Sequence, residues 1–206
     1  MFLSRLTLNP RDRDARRDLG NPYDLHSSLE RAIPNGRFLW RLEIARGQTT
    51  PVVLVQHAGE PDWAALPETY LDAHHGAQTK GLDLPGLLEP QRLLRFRVCA
   101  NPTVTRFDPI AQKNKRHGLT QLEDQLDWLQ KQFSRSGLEP VGFTVSSVER
   151  VVTRKRSAER PITVLVVTFD GHVRVREPDA AHQMLEMGIG HAKALGLGLV
   201  SVAPAR

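Results

Sequence analysis

Gly188-Ile-Gly-His-Ala-Lys-Ala-Leu-Gly-Leu-Gly-Leu-Val-Ser-Val202 closes the chain with a glycine-rich loop that runs into an apolar strand. Glycine lets backbone come close to another group, because no Cβ blocks the approach. Exposed N–H groups in such a loop form an anion-binding nest, to which Lys193 adds a point charge. The stretch also supplies the last strand of a repeating order. Upstream of it, residues 178–187 read as a short helix. Residues 141–156 and 162–176 read as long strands rich in β-branched residues. Residues 120–135 read as a helix, with Leu122, Leu126, Leu129 and Phe133 at helical spacing, Thr120 as its cap and Glu123 at the capping-box position. Residues 93–100 read as a strand. The second half of the chain is thus ordered strand, helix, strand, strand, helix, strand.

The first half follows the same course. Residues 2–8 alternate like a strand, and the mixed-charge run 11–18 reads as a solvated loop. Asn21-Pro22 reads as an N-cap followed by proline at the first helical position. The helix is expected over 22–32, with Leu25, Leu29 and Ala32 on its buried stripe. Residues 38–45 and 51–57 read as strands joined by a hairpin loop, and 61–71 as a short helix. Residues 73–90 read as loop with room for one short strand. Two tandem βαββαβ units give an α+β protein of two ferredoxin-like domains, expected at residues 1–88 and 89–206. This duplication rests on element order, since the halves share no close sequence repeat.

The chain has 206 residues, enough for two small domains, with 40% hydrophobic content and a formal net charge of +5. Its pI of about 9.8 suits an acidic partner, of which nucleic acid is the common one. Cys99 is the single cysteine and reads as a small buried hydrophobe in a reducing, cytoplasmic setting. No apolar run approaches the ~18 residues of a membrane span, and the N-terminus lacks a signal-peptide core. No His-Glu-x-x-His pattern, cysteine cluster or Asp-rich loop is present, so no metal site is expected. With aromatics at 6%, an RNA-recognition module that stacks bases on its sheet is disfavoured.

Several features carry chemistry. Tyr23 and His26 lie three residues apart on the expected first helix and share a face. An imidazole exchanges a proton near neutral pH, whereas a phenol donates a hydrogen bond and orients a reacting group. Together they suit RNA self-cleavage, in which a 2′-OH attacks the adjacent phosphate. The residues by themselves are as well explained by an ordinary helix flank with one aromatic and one histidine, and that plainer reading is favoured. The hairpin around 149–162 carries Arg150, Arg154, Lys155, Arg156 and Arg160. It reads either as a ribbon that meets RNA phosphates or as a solvated hairpin whose charges protect its edges. The polar stretch 101–118, with Arg106, Lys113, Lys115 and Arg116, reads as a loop that tracks phosphates or as plain surface.

Taken in order, Phe2-Leu-Ser-Arg-Leu6, Asn21-Pro-Tyr-Asp-Leu-His26, Phe38-Leu-Trp-Arg-Leu-Glu43, Val53-Leu-Val-Gln56, Leu94-Arg-Phe-Arg-Val-Cys-Ala-Asn-Pro102 and the C-terminal glycine segment resemble the CasE family. This is the family of crRNA-processing CRISPR-associated endoribonucleases of type I-E Cascade, and the resemblance spans nearly the whole chain. It implies two ferredoxin-like domains of the RAMP type and cleavage of precursor CRISPR RNA within each repeat, at the 3′ base of a stem-loop. It implies a reaction without metal or other cofactor, leaving a 2′,3′-cyclic phosphate or 3′-phosphate and a 5′-hydroxyl. It further implies retention of the hairpin product and assembly with other Cascade subunits. It places the proton-transfer group on His26 as acid or base, and assigns Tyr23 to position the 2′-OH or stabilise the phosphate. For holding RNA it points to Gly188, Gly190, His191, Lys193, Gly196, Gly198 and Ser201, with the basic residues 150–160 gripping the stem-loop and Lys113, Lys115 and Arg116 assisting. A non-catalytic hairpin-binding subunit of the same fold is the alternative. The chain departs from the family pattern at Gln112-Lys-Asn-Lys-Arg-His-Gly118 and at His191, where proline is common.

Overall fold

A computed structural model describes residues 1–33, 36–43, 50–154 and 161–205. Two four-stranded antiparallel sheets dominate it. The first contains β1 (Phe2–Thr7), β2 (Phe38–Glu43), β3 (Val52–His57) and β4 (Ala77–Gly81), in the order β2-β3-β1-β4. The second contains β5 (Leu93–Ala100), β8 (Leu138–Thr153), β9 (Ile162–Val175) and β10 (Val200–Pro204), in the order β10-β5-β9-β8. Each is the strand order of a βαββαβ unit: the first and third strands of the unit lie at the centre, the second and fourth at the edges. The tandem ferredoxin-like architecture expected from the element order is the one observed.

Between β1 and β2 lie α1 (Arg13–Gly20) and α2 (Pro22–Ala32). The second follows the expected bounds, and its Leu25, Ser28, Leu29 and Ala32 are buried. The first corrects the loop expected over 11–18. Asp12 caps it, accepting from the Ala15 N–H at 2.8 Å. Its inner side consists of Ala15 and Asp18, too short and too polar a stripe to read as periodic. Asp18 is tolerated inside because Ser28 Oγ (2.5 Å), Tyr70 Oη (2.8 Å) and Arg17 Nε (2.9 Å) all donate to its carboxylate. That burial, with Asp18 alongside, pushes the Tyr70 phenol far above its ordinary pKa.

The helix expected over 61–71 shrinks to one 3₁₀ turn, Trp63–Ala65, capped by Asp62. Pro67 stands one turn beyond it, and the residue before a proline is biased away from helix. Leu66 and Tyr70 still bury their side chains in the first core, as the apolar pattern demanded. Beyond β4, the short α3 (Leu84–Leu87) leads to the second unit, and Leu84 and Leu88 pack into its core.

The stretch 101–118, expected as a loop, is a β-hairpin of β6 (Thr103–Asp108) and β7 (Lys113–Gly118). Asp108 builds its turn, accepting from the N–H groups of Ile110 and Ala111 at 3.0 and 2.9 Å. The helix α4 (Leu122–Ser134) starts later than expected: its N-cap is Gln121, without a side-chain cap, so the Thr120/Glu123 capping box is not formed. The last helix, α5 (Pro178–Met187), has the expected bounds. Among the described residues no helix is long and apolar enough to cross a membrane.

His57, at the end of β3, makes the first unit acid-sensitive. It is 2% exposed. Its Nδ1 lies 2.6 Å from the Gly59 carbonyl, which can only accept, so Nδ1 holds the proton and Nε2 accepts from Ser4 Oγ at 2.8 Å. Burial holds its pKa below the usual 6.5. The unfolded chain therefore binds a proton that the folded chain refuses. The stabilisation is complete above pH 6.5 and is lost as pH falls from there toward the lower folded value. We expect the melting temperature to fall on acidification from pH 7 to 5, with His57 contributing a slope of at most about 1.4 kcal/mol per pH unit. His57→Asn is expected to flatten the profile in that window. The buried or paired carboxylates of Asp12 and Asp170 act only near and below pH 3.8.

Candidate functional site

The site is built on the start of α2. Pro22 takes the first helical position, where its missing N–H costs nothing, and Asn21 occupies the N-cap with extended backbone. The Asn21 side chain does not cap. Its Oδ1 accepts from Thr153 Oγ1 at 2.7 Å, and its Nδ2 donates to the Arg154 carbonyl and to Asp24 Oδ2, each at 3.2 Å. The helix start is thereby tied to the end of β8, where the basic hairpin begins.

Leu25 and Leu29 face the core, which leaves Tyr23 and His26 half-buried on the flank, as the spacing predicted. The His26 ring lies 4.9 Å from the Phe38 ring, tilted by 32°. The Trp40 indole Nε1–H donates to His26 Nδ1 at 3.2 Å. Burial is the main cause that lowers the His26 pKa below its usual value; the Glu30 carboxylate, one turn along the helix, opposes it.

Tyr23 lines a cleft of about 540 Å³ together with Arg116 of β7, Arg150 of β8 and His191 of the glycine loop. This gathers four of the expected residues from four parts of the sequence. Lys193 opens the 3₁₀ turn Lys193–Leu195, which packs against α2. Its pKa is lowered by partial burial and then by the nearby Arg37 guanidinium. That of His191 is lowered by burial and then by Arg116 and Lys193. Arg37, Lys193 and Arg116 are thus cations in one neighbourhood, with His191 between the last two. Arg37 was not singled out in the sequence: it sits alone beside a turn, and only the fold brings it to Lys193. Its Nη2 donates to the Met187 carbonyl at 3.0 Å.

The other expected residues are more scattered. Lys113 is exposed on β7, and Lys115 is ion-paired with Asp108. Arg154 is exposed just past β8, while Lys155, Arg156 and Arg160 lie outside the described residues. Ser201 faces inward to the junction of the two units, and its hydroxyl accepts from Arg41 Nη2 at 2.9 Å.

The loop glycines serve contacts that the sequence did not disclose. All four, at 188, 190, 196 and 198, have positive φ. At Gly196 (φ +78) an added Cβ would stand 2.6 Å from the Trp40 ring; at Gly198 (φ +89) it would stand 2.4 Å from the Ile189 carbonyl oxygen. Close approach is indeed what these residues permit, but the groups approached in this fold are protein groups, chief among them the tryptophan that touches His26. The sequence places Trp40 and its neighbour Arg41 in a strand and in the Phe38–Glu43 segment of the family resemblance, with no chemical role. Among the described residues no group of three or more His, Cys, Asp or Glu side chains is arranged to hold a metal ion.

Known proteins share this fold and much of this sequence. The CRISPR-associated endoribonuclease Cse3 of Thermus thermophilus is 38% identical, over 99% of this chain and all of its own. The Cascade subunit CasE of Escherichia coli K12 is 26% identical over the same shares. Cse3 bound to a 19-nt RNA superposes with a TM-score of 0.87 at 36% identity, covering 99% of this chain and all of that one. Thermus Cse3 with an RNA representing a pre-cleavage complex gives a TM-score of 0.84 at 35% identity, covering 98% of each chain. Residues 1–204 match the family described as CRISPR associated protein, and on these matches the chain belongs to that family, with the Cse3 and CasE proteins as its relatives.

Proposed function

We propose that this chain is a metal-independent endoribonuclease. It cleaves precursor CRISPR RNA within the repeat at the 3′ base of the stem-loop, stays on the hairpin and joins a Cascade assembly. The observation that carries the reading is a half-buried histidine, fixed by a tryptophan N–H, one helical turn from a tyrosine that lines a cationic cleft. The RNA-bound Cse3 structures and the Cascade name of the CasE relative support the substrate and the assembly.

In this reading the 2′-oxygen attacks the adjacent phosphorus. Its proton leaves, the bond to the 5′-oxygen breaks, and that oxygen is protonated. The products are a 2′,3′-cyclic phosphate and a 5′-hydroxyl. His26 transfers a proton, and Tyr23 positions the 2′-OH or the phosphate. Arg150, Arg116 and Lys193 neutralise the backbone on either side, with His191 as a hydrogen-bonding partner among them, so affinity falls steeply with salt. The fold divides the labour: the unit of residues 1–88 supplies the proton-transfer pair, and that of 89–206 supplies most of the grip.

The test is cleavage of the host's own repeat RNA in excess EDTA, with a second substrate carrying one 2′-deoxy residue just 5′ of the scissile phosphate. We expect full cleavage of the first and none of the second, with equal binding of both. Cleavage of the deoxy substrate refutes 2′-OH attack, and loss of cleavage in EDTA refutes metal independence. Tight binding of the intact repeat without any cleavage makes the chain a hairpin-binding subunit.

A further inference from the structure

We propose that Trp40 is the positioning residue of His26: its buried indole N–H fixes the imidazole with the proton on Nε2. This rests on the reading of His26 as the proton-transfer group. The indole nitrogen is a donor and cannot accept. His26 Nδ1, at 3.2 Å from it, must therefore accept, and so holds no proton. A neutral imidazole has one N–H, which is then on Nε2. The other neutral tautomer and the imidazolium would each set a second N–H against that of the indole.

The donor is held firmly. Trp40 is 2% exposed. Phe38 and Trp40 are two residues apart on β2 and so project from one face of the sheet, where both meet the His26 ring. Behind the indole lies Gly196, at positive φ, with no room for a Cβ. The glycine of the C-terminal loop, the tryptophan of β2 and the histidine of α2 form one packed series from the second unit to the first. The charge that acts on the ring is Glu30 on its own helix, and the nearest packed element, the 3₁₀ turn Lys193–Leu195, brings Lys193 to that helix. Neither replaces the Trp40 contact at Nδ1.

The resting imidazole consequently offers RNA a hydrogen-bond donor at Nε2. An unprotonated Nε2, which a general base requires, exists only after the Trp40 contact breaks.

Trp40→Phe keeps the ring and removes the N–H. In ¹⁵N-labelled protein, the histidine nitrogen spectra of the wild type are expected to show His26 as the Nε2–H tautomer. In Trp40→Phe they are expected to show a tautomer mixture and a His26 pKa closer to 6.5. Single-turnover cleavage is expected to change, because the variant frees both the orientation of the ring and the nitrogen that the contact occupies, with repeat affinity within about threefold of wild type. Gly196→Ala, which displaces the indole without deleting its N–H, is expected to shift the same signals. A wild-type spectrum with the proton on Nδ1 overturns the proposal, whatever the variants do. An unchanged tautomer and rate in Trp40→Phe, with His26→Ala inactive, overturns the positioning role alone. A changed tautomer with full cleavage in both Trp40→Phe and His26→Ala refutes the catalytic reading of His26, and the positioning role with it.

Discussion

His26→Ala is expected to lower the single-turnover rate of repeat cleavage by about 10²- to 10⁴-fold, the range for loss of a positioned proton-transfer group. Hairpin affinity is expected to stay near that of wild type. The separation follows from where the residue stands. His26 is half-buried on the flank of α2 against Phe38 and Trp40, while Arg116, Arg150 and His191 line a cleft with Tyr23. Alanine keeps the helix, whose buried side is Leu25, Ser28, Leu29 and Ala32. Melting curves of variant and wild type should differ little, so lost cleavage cannot be laid to unfolding. Tyr23→Phe keeps the ring in the cleft and removes one hydroxyl, and a smaller loss is expected. A His26→Ala variant that cleaves at the wild-type rate would remove proton transfer from this residue.

The sequence made α2, β9 and α5 legible because each buries apolar residues at its own period, and β8, of which only Leu138 and Thr153 are buried, by its β-branched content. It concealed what such a pattern does not encode. The β6–β7 hairpin has an exposed second strand, Lys113-Asn-Lys-Arg-His-Gly118, so neither face has an apolar residue to mark a strand. The helix α1 hides behind Asp18, a buried charge that reads as surface until Ser28, Tyr70 and Arg17 are brought to it. The helix over 61–71 was expected from apolar residues that are indeed buried, but Pro67 leaves them on an irregular chain. At the site, Tyr23 and His26 were legible as a helical pair, and only a family resemblance raised them above an ordinary flank. The glycines were legible as points of close approach, whereas Trp40 and Leu39, which fill the space beside Gly196 and Gly188, come from a strand some 150 positions away in the sequence and have no local signature.

Arg41 shows the same effect in energetic form, and Arg41→Met is expected to destabilise the protein strongly. The residue lies on β2, an edge of the first sheet, and is 3% exposed. Its guanidinium crosses to the second unit, donating to the carbonyls of Arg97 (3.1 Å) and Leu199 (3.2 Å) and to Ser201 Oγ (2.9 Å). It also donates through Nε and Nη2 to Glu43 Oε1 at 2.9 and 2.5 Å. Methionine fills much of the volume but leaves these acceptors unmatched, and among the described residues Glu43 then keeps Arg97 alone, at 3.7 Å. Breaking a buried pair from one side costs about 3–5 kcal/mol. In a chain of this length that lowers the melting temperature by roughly 10 °C. Ser201→Ala removes one acceptor and is expected to cost about 1 kcal/mol. Adding Glu43→Gln to Arg41→Met removes the stranded charge and should recover part of the loss, which a double-mutant cycle would read as coupling. Cleavage should fall as well, even well below the melting temperature. Arg41 adjoins Trp40 in β2, and its acceptor Leu199 directly follows the Gly196–Gly198 segment that backs the indole. Loosening this clamp releases both sides of the contact that holds His26. If Arg41→Met melted like wild type, the two units would be held together by their apolar contacts, and the guanidinium would be a passenger in the junction.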